Sequence, residues 1–358
     1  MAGIFGHITK DDRDRVFTST LGQRVFYEAA MEWIQDRQAE LDQAMGVLVE
    51  RTTEDHKLRY KLPGTGYLQK INTEGRYQSV KAQGQWDVAF PLEDFGAQVS
   101  GSDVNFRYMR VEDLARHLMT VASMNISTTR YLILKALFTN TQKSFVDDDW
   151  GTLLVEPLAN GDATLYPPIP GTDDEAVEDH YLVSGYAASA ISATNNPILT
   201  LRDEIIEHYG DMPSGTNVAA FIHPDQEAKI AAISGYVAVS DFAITYGQDS
   251  DILQGLGRPH PGVLIGRING VWIVKWRWIP TNYIAANDLD MPAPLIKRVD
   301  PADTGIPEGL HLVAEDEEFP FKGSFWRNRM GYGTGNRLCG AVMFLDAGGS
   351  YTIPTAYQ

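Results

Sequence analysis

The segment from Val111 to Asn140, VEDLARHLMTVASMNISTTRYLILKALFTN, constrains this chain most, because nowhere else do apolar residues return at helical spacing for so long. Val111, Leu114, Leu118, Ala122, Ile126, Ile133 and Leu137 fall on one stripe of a helix. Glu112 and Asp113 put anions in the first turn, where the helix dipole favours them. Unbroken, the helix would run ~45 Å at 1.5 Å per residue, longer than the core of a compact domain usually requires. Its middle, Asn125 to Thr129, consists mostly of poor helix formers, so a bend is expected there. Beyond it Leu132, Ile133, Leu134, Ala136, Leu137 and Phe138 are apolar on nearly all sides, so that half should be buried.

The rest of the chain has enough apolar material to enclose such a helix. In 358 residues the apolar share is 44%, with 16 Tyr, 14 Phe and 7 Trp spread along the length, which suits two domains or one domain with large excursions. Thirty basic residues against 47 acidic ones give a net charge of -17, which repels nucleic acid and anionic membranes and favours solubility. A single cysteine, Cys339, rules out an intrachain disulfide framework; its apolar neighbours make it a buried, inert thiol. No apolar run approaches the ~20 residues of a membrane helix, and no secretory signal opens the sequence, so synthesis as a soluble cytosolic species is expected.

Taken in order, Met1 to Thr20 shows no clear period. Thr18, Ser19 and Thr20 then offer capping groups for an amphipathic helix to about Arg51, with Val25, Phe26, Ala29, Trp33, Leu41, Met45 and Leu48 as its apolar stripe. From Glu54 to Val99 glycines punctuate short alternating stretches such as Trp86 to Phe90, which predicts a long hairpin or extended loop with two-sided polar strands. Lys57, Arg59, Lys61, Lys70, Arg76 and Lys81 make this the most basic part of an acidic protein. Such an excursion suits an acidic surface on another copy; the plainer reading is a solvated edge that uses lysine against aggregation. After the long helix, Val146 to Val183 reads as a polar connection with two acidic clusters, Asp147-Asp148-Asp149 and Asp173-Asp174-Glu175, which lack calcium-loop spacing and read as solvated faces.

A helix from about Asn196 to Gly210, a buried strand from Asn217 to Ile222 and a helix opened by Pro224 mark a second compact unit. In VWIVKWRWI, Trp272, Val274, Trp276 and Trp278 alternate with Val271, Ile273, Lys275 and Arg277, predicting a strand with one heavily packed face; base stacking on it is disfavoured by the acidic charge. Met291 to Glu308 reads as a proline-rich linker, Glu315-Asp316-Glu317-Glu318 as a solvated turn, and Phe321 to Pro354 as strands about a glycine-rich turn.

No catalytic motif stands up. Gly331-Tyr332-Gly333-Thr334-Gly335-Asn336 has the look of a dinucleotide-binding turn, but its third glycine comes one position early and no helix pattern follows. The histidines His7, His56, His117, His180, His208, His223, His260 and His311 are scattered, without HExxH or CxxC partners. Asp179-His180 and Glu207-His208 are adjacent pairs, and sequence neighbours rarely face one another. No catalytic, cofactor-binding or metal residue is assigned, and no cofactor is expected.

The order of elements carries more: an amphipathic arm, a long basic hairpin, a long helix, the unit NPILTLRDEIIEHYG and NVAAFIHPDQEAKI, a strand-rich return and the terminal FWRNRMGYGTGNRLCGAVMFL. This order resembles the major capsid protein of tailed double-stranded DNA phages, an α+β architecture of the Hong Kong 97 type. The resemblance implies an N-terminal arm over residues 1–53, an extended loop over 54–95, a peripheral domain over 96–195 with its spine helix at 111–140, an axial domain over 196–290 and a return to the peripheral domain over 291–358. Some members cross-link a loop lysine to a neighbour's asparagine; Lys57, Lys61, Lys70 or Lys81 and Asn328 or Asn336 would be the counterparts. No charged helical segment resembling the family's scaffolding domain precedes the arm, so scaffolding is expected to be separate, removed or never present.

The implied function is structural, not enzymatic: copies assemble as hexamers and pentamers into an icosahedral shell around packaged DNA, without sequence-specific DNA binding or a membrane. Separate scaffolding, portal and decoration proteins are candidate partners, and the protein would reside in the virion after assembly in the host cytoplasm. Expected assembly contacts are Lys57, Arg59, Lys61, Lys70, Arg76 and Lys81 against Asp147, Asp148, Asp149, Glu315, Asp316, Glu317 and Glu318. Two alternatives remain: an encapsulin-like compartment, and a soluble cytosolic enzyme with a ligand turn near Gly331 to Gly335.

Overall fold

The structure is a computed structural model that describes residues 23–61, 85–167, 176–207, 217–239, 259–316 and 321–358. In chain order, helix α1 (Gln23–Met45) leads to strands β1 (Val49–Thr53), β2 (Lys57–Lys61), β3 (Gln85–Ala89) and β4 (Glu93–Ser102). The short α2 (Asp103–Tyr108) and the long α3 (Val111–Phe138) precede β5 (Lys143–Asp147), β6 (Gly151–Val155) and β7 (Tyr181–Val183). Then come α4 (Pro197–Ile206), β8 (Val218–Ile222), α5 (Glu227–Ala231), β9 (Tyr236–Ala238), β10 (Val263–Ile268), β11 (Val271–Lys275) and β12 (Tyr283–Asp288). The chain closes with β13 (Leu295–Arg298), β14 (His311–Asp316), β15 (Phe321–Thr334) and β16 (Gly340–Phe344).

Two compact units form, one from Met1–Gln43, Leu92–Leu132 and Arg298–Gly331, the other from Ala44–Pro91, Ile133–Lys297 and Tyr332–Gln358. Helix α3 and strand β15 each contribute to both units.

In the first unit, β15 runs antiparallel between β14 and β4. Tyr27, Ala30 and Ile34 of α1 and Leu114, Leu118, Val121 and Ala122 of α3 share a core with Trp326 of β15. Of the expected stripe, Trp33 packs half-buried against this core and Leu41, Met45 and Leu48 are buried, but the helix stops at Met45 before Gly46, so Val49 to Arg51 are strand instead of helix. Helix α3 is continuous from Val111 to Phe138, ~42 Å at 1.5 Å per residue, and Asn125 to Thr129 do not interrupt it. The reason these poor helix formers are present is a buried polar row. Asn328 Nδ2 donates to Asn125 Oδ1 at 2.7 Å, Asn125 Nδ2 to Gln38 Oε1 at 2.6 Å, and Gln38 Nε2 to Asp42 Oδ1 at 2.9 Å. Thr129, fully buried, points its hydroxyl at the Met330 sulfur.

The second unit is organised by a seven-stranded mixed sheet in the order β7-β16-β12-β8-β11-β10-β9. Helix α4 starts as expected, with Asn196 Oδ1 accepting from the backbone N–H of Ile198 and Leu199 and Pro197 in the first turn, and it packs Ile198, Leu201 and Ile205 on the sheet. The end of α3 also lies here. Its last carbonyls would be left without intrahelical partners; Tyr181 donates its hydroxyl to the carbonyls of Leu137 and Thr139, and Tyr351 donates to that of Phe138.

Four expectations need correction. VWIVKWRWI is a strand only to Lys275, and Val271 to Val274 are buried on both faces, because β11 is an interior strand between β8 and β10. The expected linker contains β13, all four of whose residues are buried. The connection from Val146 contains part of a hairpin, β5 with β6, as well as β7, and Glu315 and Asp316 end strand β14 instead of forming a turn. In GYGTGN, Gly331 to Thr334 complete β15 and β16 follows a short turn, so the helix of a phosphate loop is missing.

Replacing Asn125 by Leu should lower the stability of the unassembled protein by about 1–3 kcal/mol, since Gln38 and Asn328 each lose a buried partner. The check is the urea midpoint at unchanged slope. Asn125→Leu combined with Asn328→Leu should cost less than the sum of the two single replacements.

Candidate functional site

The basic segment begins as a strand pair. β2 and β3 are antiparallel, with Arg59 opposite Asp87 and Tyr60 opposite Trp86. One face is apolar and not two-sided polar as expected: Trp86, Val88 and Phe90 enter a core with Tyr166, Ile296 and Leu338. The indole of Trp86 donates to the Gly335 carbonyl at 3.1 Å and stacks on Tyr60 at 5.7 Å. This explains one glycine of GYGTGN: a Cβ on Gly335 would lie 2.6 Å from Ile296 Cδ1, so the residue serves close packing and not a phosphate.

The other face carries the cations. Arg59 Nε and Nη2 grip the two Asp87 carboxylate oxygens at 2.6 and 3.0 Å, and Lys57 Nζ adds a contact at 3.1 Å. The Arg59 hydrogen bond, aided by Lys57, holds Asp87 at about 2, well below the usual carboxylate range. Two cations on one carboxylate leave this strand net positive. Lys61 ends β2, while Lys70, Arg76 and Lys81 lie outside the described residues.

On the acidic side, Asp147 is buried and works locally: its Oδ1 accepts from the backbone N–H of Asp149 at 3.1 Å and of Trp150 at 3.2 Å, closing the β5–β6 turn. Asp148 and Asp149 are exposed at that turn. Trp150 stacks on His56, ring centroids 4.0 Å apart, which sets the acidic turn beside the start of the basic strand in the same chain. Glu315 and Asp316 are exposed on β14; Glu317 and Glu318 lie outside the described residues. Asn328 and Asn336 are both buried and hydrogen-bonded within the chain, so neither is presented to a neighbour's lysine, and the cross-linking expectation is withdrawn.

Two local features were missed in the sequence. Asn269-Gly270, with φ of 47° and 92°, turns β10 into β11; the dipeptide is a strong hairpin signal. Glu178, Glu204 and Glu207 converge, with carboxylate oxygens within 4.8 Å of one another, through a contact between α4 and the segment before β7 that no sequence spacing records. Burial first, then the charges of Glu207, Glu178 and Asp179, push Glu204 up to about 7. A side-chain hydrogen bond links Glu178 and Glu207, as when carboxylates share a proton. Three carboxylates are also the donor set of a hard divalent cation. Cys339 is the inert thiol expected, fully buried and with its pKa raised well above the usual value by that burial.

With this geometry in place, the comparisons decide the fold. No protein-family model and no curated protein matches the sequence. Among solved structures, a chain of Mycobacterium phage Patience superposes with a TM-score of 0.67 at 17% identity, over 98% of this chain and 94% of that one. The chain has a phage capsid-protein fold. Looser likenesses are to the asymmetric unit of the bacteriophage PhiM1 mature capsid (TM-score 0.49, 10% identity, 83% and 85% of the two chains) and to the capsid of a native GTA particle (0.48, 13%, 85% and 90%). No described helix is long and apolar enough to cross a membrane.

The carboxylate cluster has a pH signature. With its folded-state pKa raised above the unfolded value, Glu204 leaves stability intact below about pH 4.5 and subtracts from it as pH rises through about 7. Glu204→Gln should therefore stabilise the unassembled protein at pH 8 by about 1–2 kcal/mol, the full shift being reduced by partial solvent screening, and leave it unchanged near pH 4.5. Thermal unfolding across that range measures the difference.

Proposed function

We propose that this chain is the major capsid protein of a tailed phage, whose copies assemble as hexamers and pentamers into an icosahedral shell around the packaged double-stranded DNA. The observation that carries the reading is the superposition with the phage Patience chain over 98% of this chain. The acidic body, at -17, suits a shell that encloses a polyanion without gripping it. The role is structural; scaffolding, portal and decoration functions would belong to separate proteins, with assembly in the host cytoplasm and the finished protein in the virion.

In this reading the net-positive β2–β3 pair, with the longer basic segment it opens, contacts acidic surface on a neighbouring copy. Asp148, Asp149, Glu315 and Asp316 are the exposed candidates, while Asp147 is committed to its own turn.

Expression of the chain, alone or with a scaffolding protein, should give megadalton shells by electron microscopy and size exclusion; a small defined oligomer would overturn the reading. Phage particles should contain DNA, whereas protein-filled, DNA-free shells would favour a cellular compartment. Lys57→Glu with Arg59→Glu should reduce shell yield at least tenfold. Adding Asp87→Arg restores opposite charges inside the hairpin, so the triple variant should fold normally and still assemble poorly; normal shells from it would confine the basic strand to a role within its own hairpin.

A further inference from the structure

The face of the seven-stranded sheet opposite α4 carries an arrangement that shell formation alone does not explain. Val237 of β9, Arg267 of β10 and Trp272 of β11 are register neighbours across three strands, so their side chains form one row. With Val239 and the Asn269-Gly270 turn they line a cavity of about 290 Å³. The Arg267 guanidinium lies 4.9 Å from the centre of the Trp272 ring, and its Nε is sequestered from water without a hydrogen-bond acceptor. Among the described residues no carboxylate pairs with it. The floor is apolar: Trp272 is 4% exposed, while Val237 stays 40% exposed at the rim. β9 is the last strand of its sheet, so one of its backbone edges has no strand beside it among the described residues.

A guanidinium stripped of part of its water, lying over an indole and paired with no carboxylate among the described residues, is costly by itself and pre-organised for a carboxylate. An extended segment lying along β9 would put alternate side chains on this face, one set over Val237 and the cavity. We propose that this cavity is a socket for a carboxylate side chain of an extended acidic segment from a second copy of the chain. Resting on the capsid reading, the assignment of the occupant follows from charge: every copy brings 47 acidic against 30 basic residues, so a neighbour's surface is rich in carboxylates.

The test compares wild type with Arg267→Glu and Arg267→Lys, reading shell yield by electron microscopy, association of subunits by sedimentation, and folding by thermal unfolding. Alongside, an arginine-selective dicarbonyl reagent and peptide mapping follow Arg267 in wild-type shells and in dissociated wild-type subunits. The expected result is at least a tenfold loss of association for Arg267→Glu at unchanged Tm, a smaller loss for Arg267→Lys, and Arg267 protected in shells but reactive in subunits. Should Arg267→Glu fail to fold, the wild-type protection pattern decides alone. Normal shells from folded Arg267→Glu would overturn the socket and leave the capsid reading standing. Equal protection in shells and subunits would place the occupant within the same chain and also overturn it. Wild-type subunits that never associate would overturn both readings.

Discussion

A buried amide left without a partner costs more than a satisfied one gains, and the first unit depends on that asymmetry. Its three main elements would otherwise meet through Leu, Ile, Tyr and Trp surfaces, which tolerate sliding. The row from Asn328 through Asn125 and Gln38 to Asp42 does not tolerate it, because each amide nitrogen donates to the next oxygen in one direction, from strand β15 to helix α3 to helix α1. Moving α3 by one residue would carry Asn125 about 100° around the helix and strand both partners. The row therefore fixes register where apolar contacts alone would leave it loose, and poor helix formers in the middle of the longest helix are what make that possible.

The second unit follows the same rule. Arg337 is 1% exposed, yet its guanidinium donates to the carbonyls of Pro157 and Leu158 and to Asn160, Asp162 and Thr164, and lies over the Tyr166 ring. Burial works to raise Asp162, but the hydrogen bonds from Arg337 and Thr164 and the charge of Arg337 outweigh it and hold the carboxylate below its ordinary value. The pair is thus ionised and fully bonded, the condition under which a buried ion pair is tolerated. Through it the segment from Pro157 to Tyr166, which has no strand ladder of its own, is fastened to the turn before β16.

Local chemistry was legible in the sequence; distant pairing was not. The spine helix and the start of α4 at Pro197 rest on signals along one element, and the structure has both. Strand β13 was read as part of a linker because the segment from Met291 to Glu308 is rich in proline, although Lys297 and Arg298 are buried in a place only the fold creates. Asp147 read as one of three equivalent acids, and turn geometry alone separates it from its neighbours. The pairing of Arg267 with Trp272 follows from the Asn269-Gly270 turn, but the meeting of Glu178 with Glu204 and Glu207, and of Val237 with that hairpin, joins separate elements that no local spacing records.

Charge poses the remaining problem for the proposed shell, since copies that each carry -17 would have to approach one another. At physiological ionic strength charges more than about 8 Å apart are largely screened, so at long range the net value would matter chiefly for a polyanion held inside the proposed shell. What governs a contact is the charge within that radius. There the molecule is not uniformly acidic: Lys57 and Arg59 share one carboxylate, and Arg267 lies over an indole. An exposed pair formed by the first site would weaken with salt, whereas a carboxylate seated on the second would be shielded from it. Association driven by both should then keep a salt-resistant fraction, which separates a desolvated contact from a merely steered one.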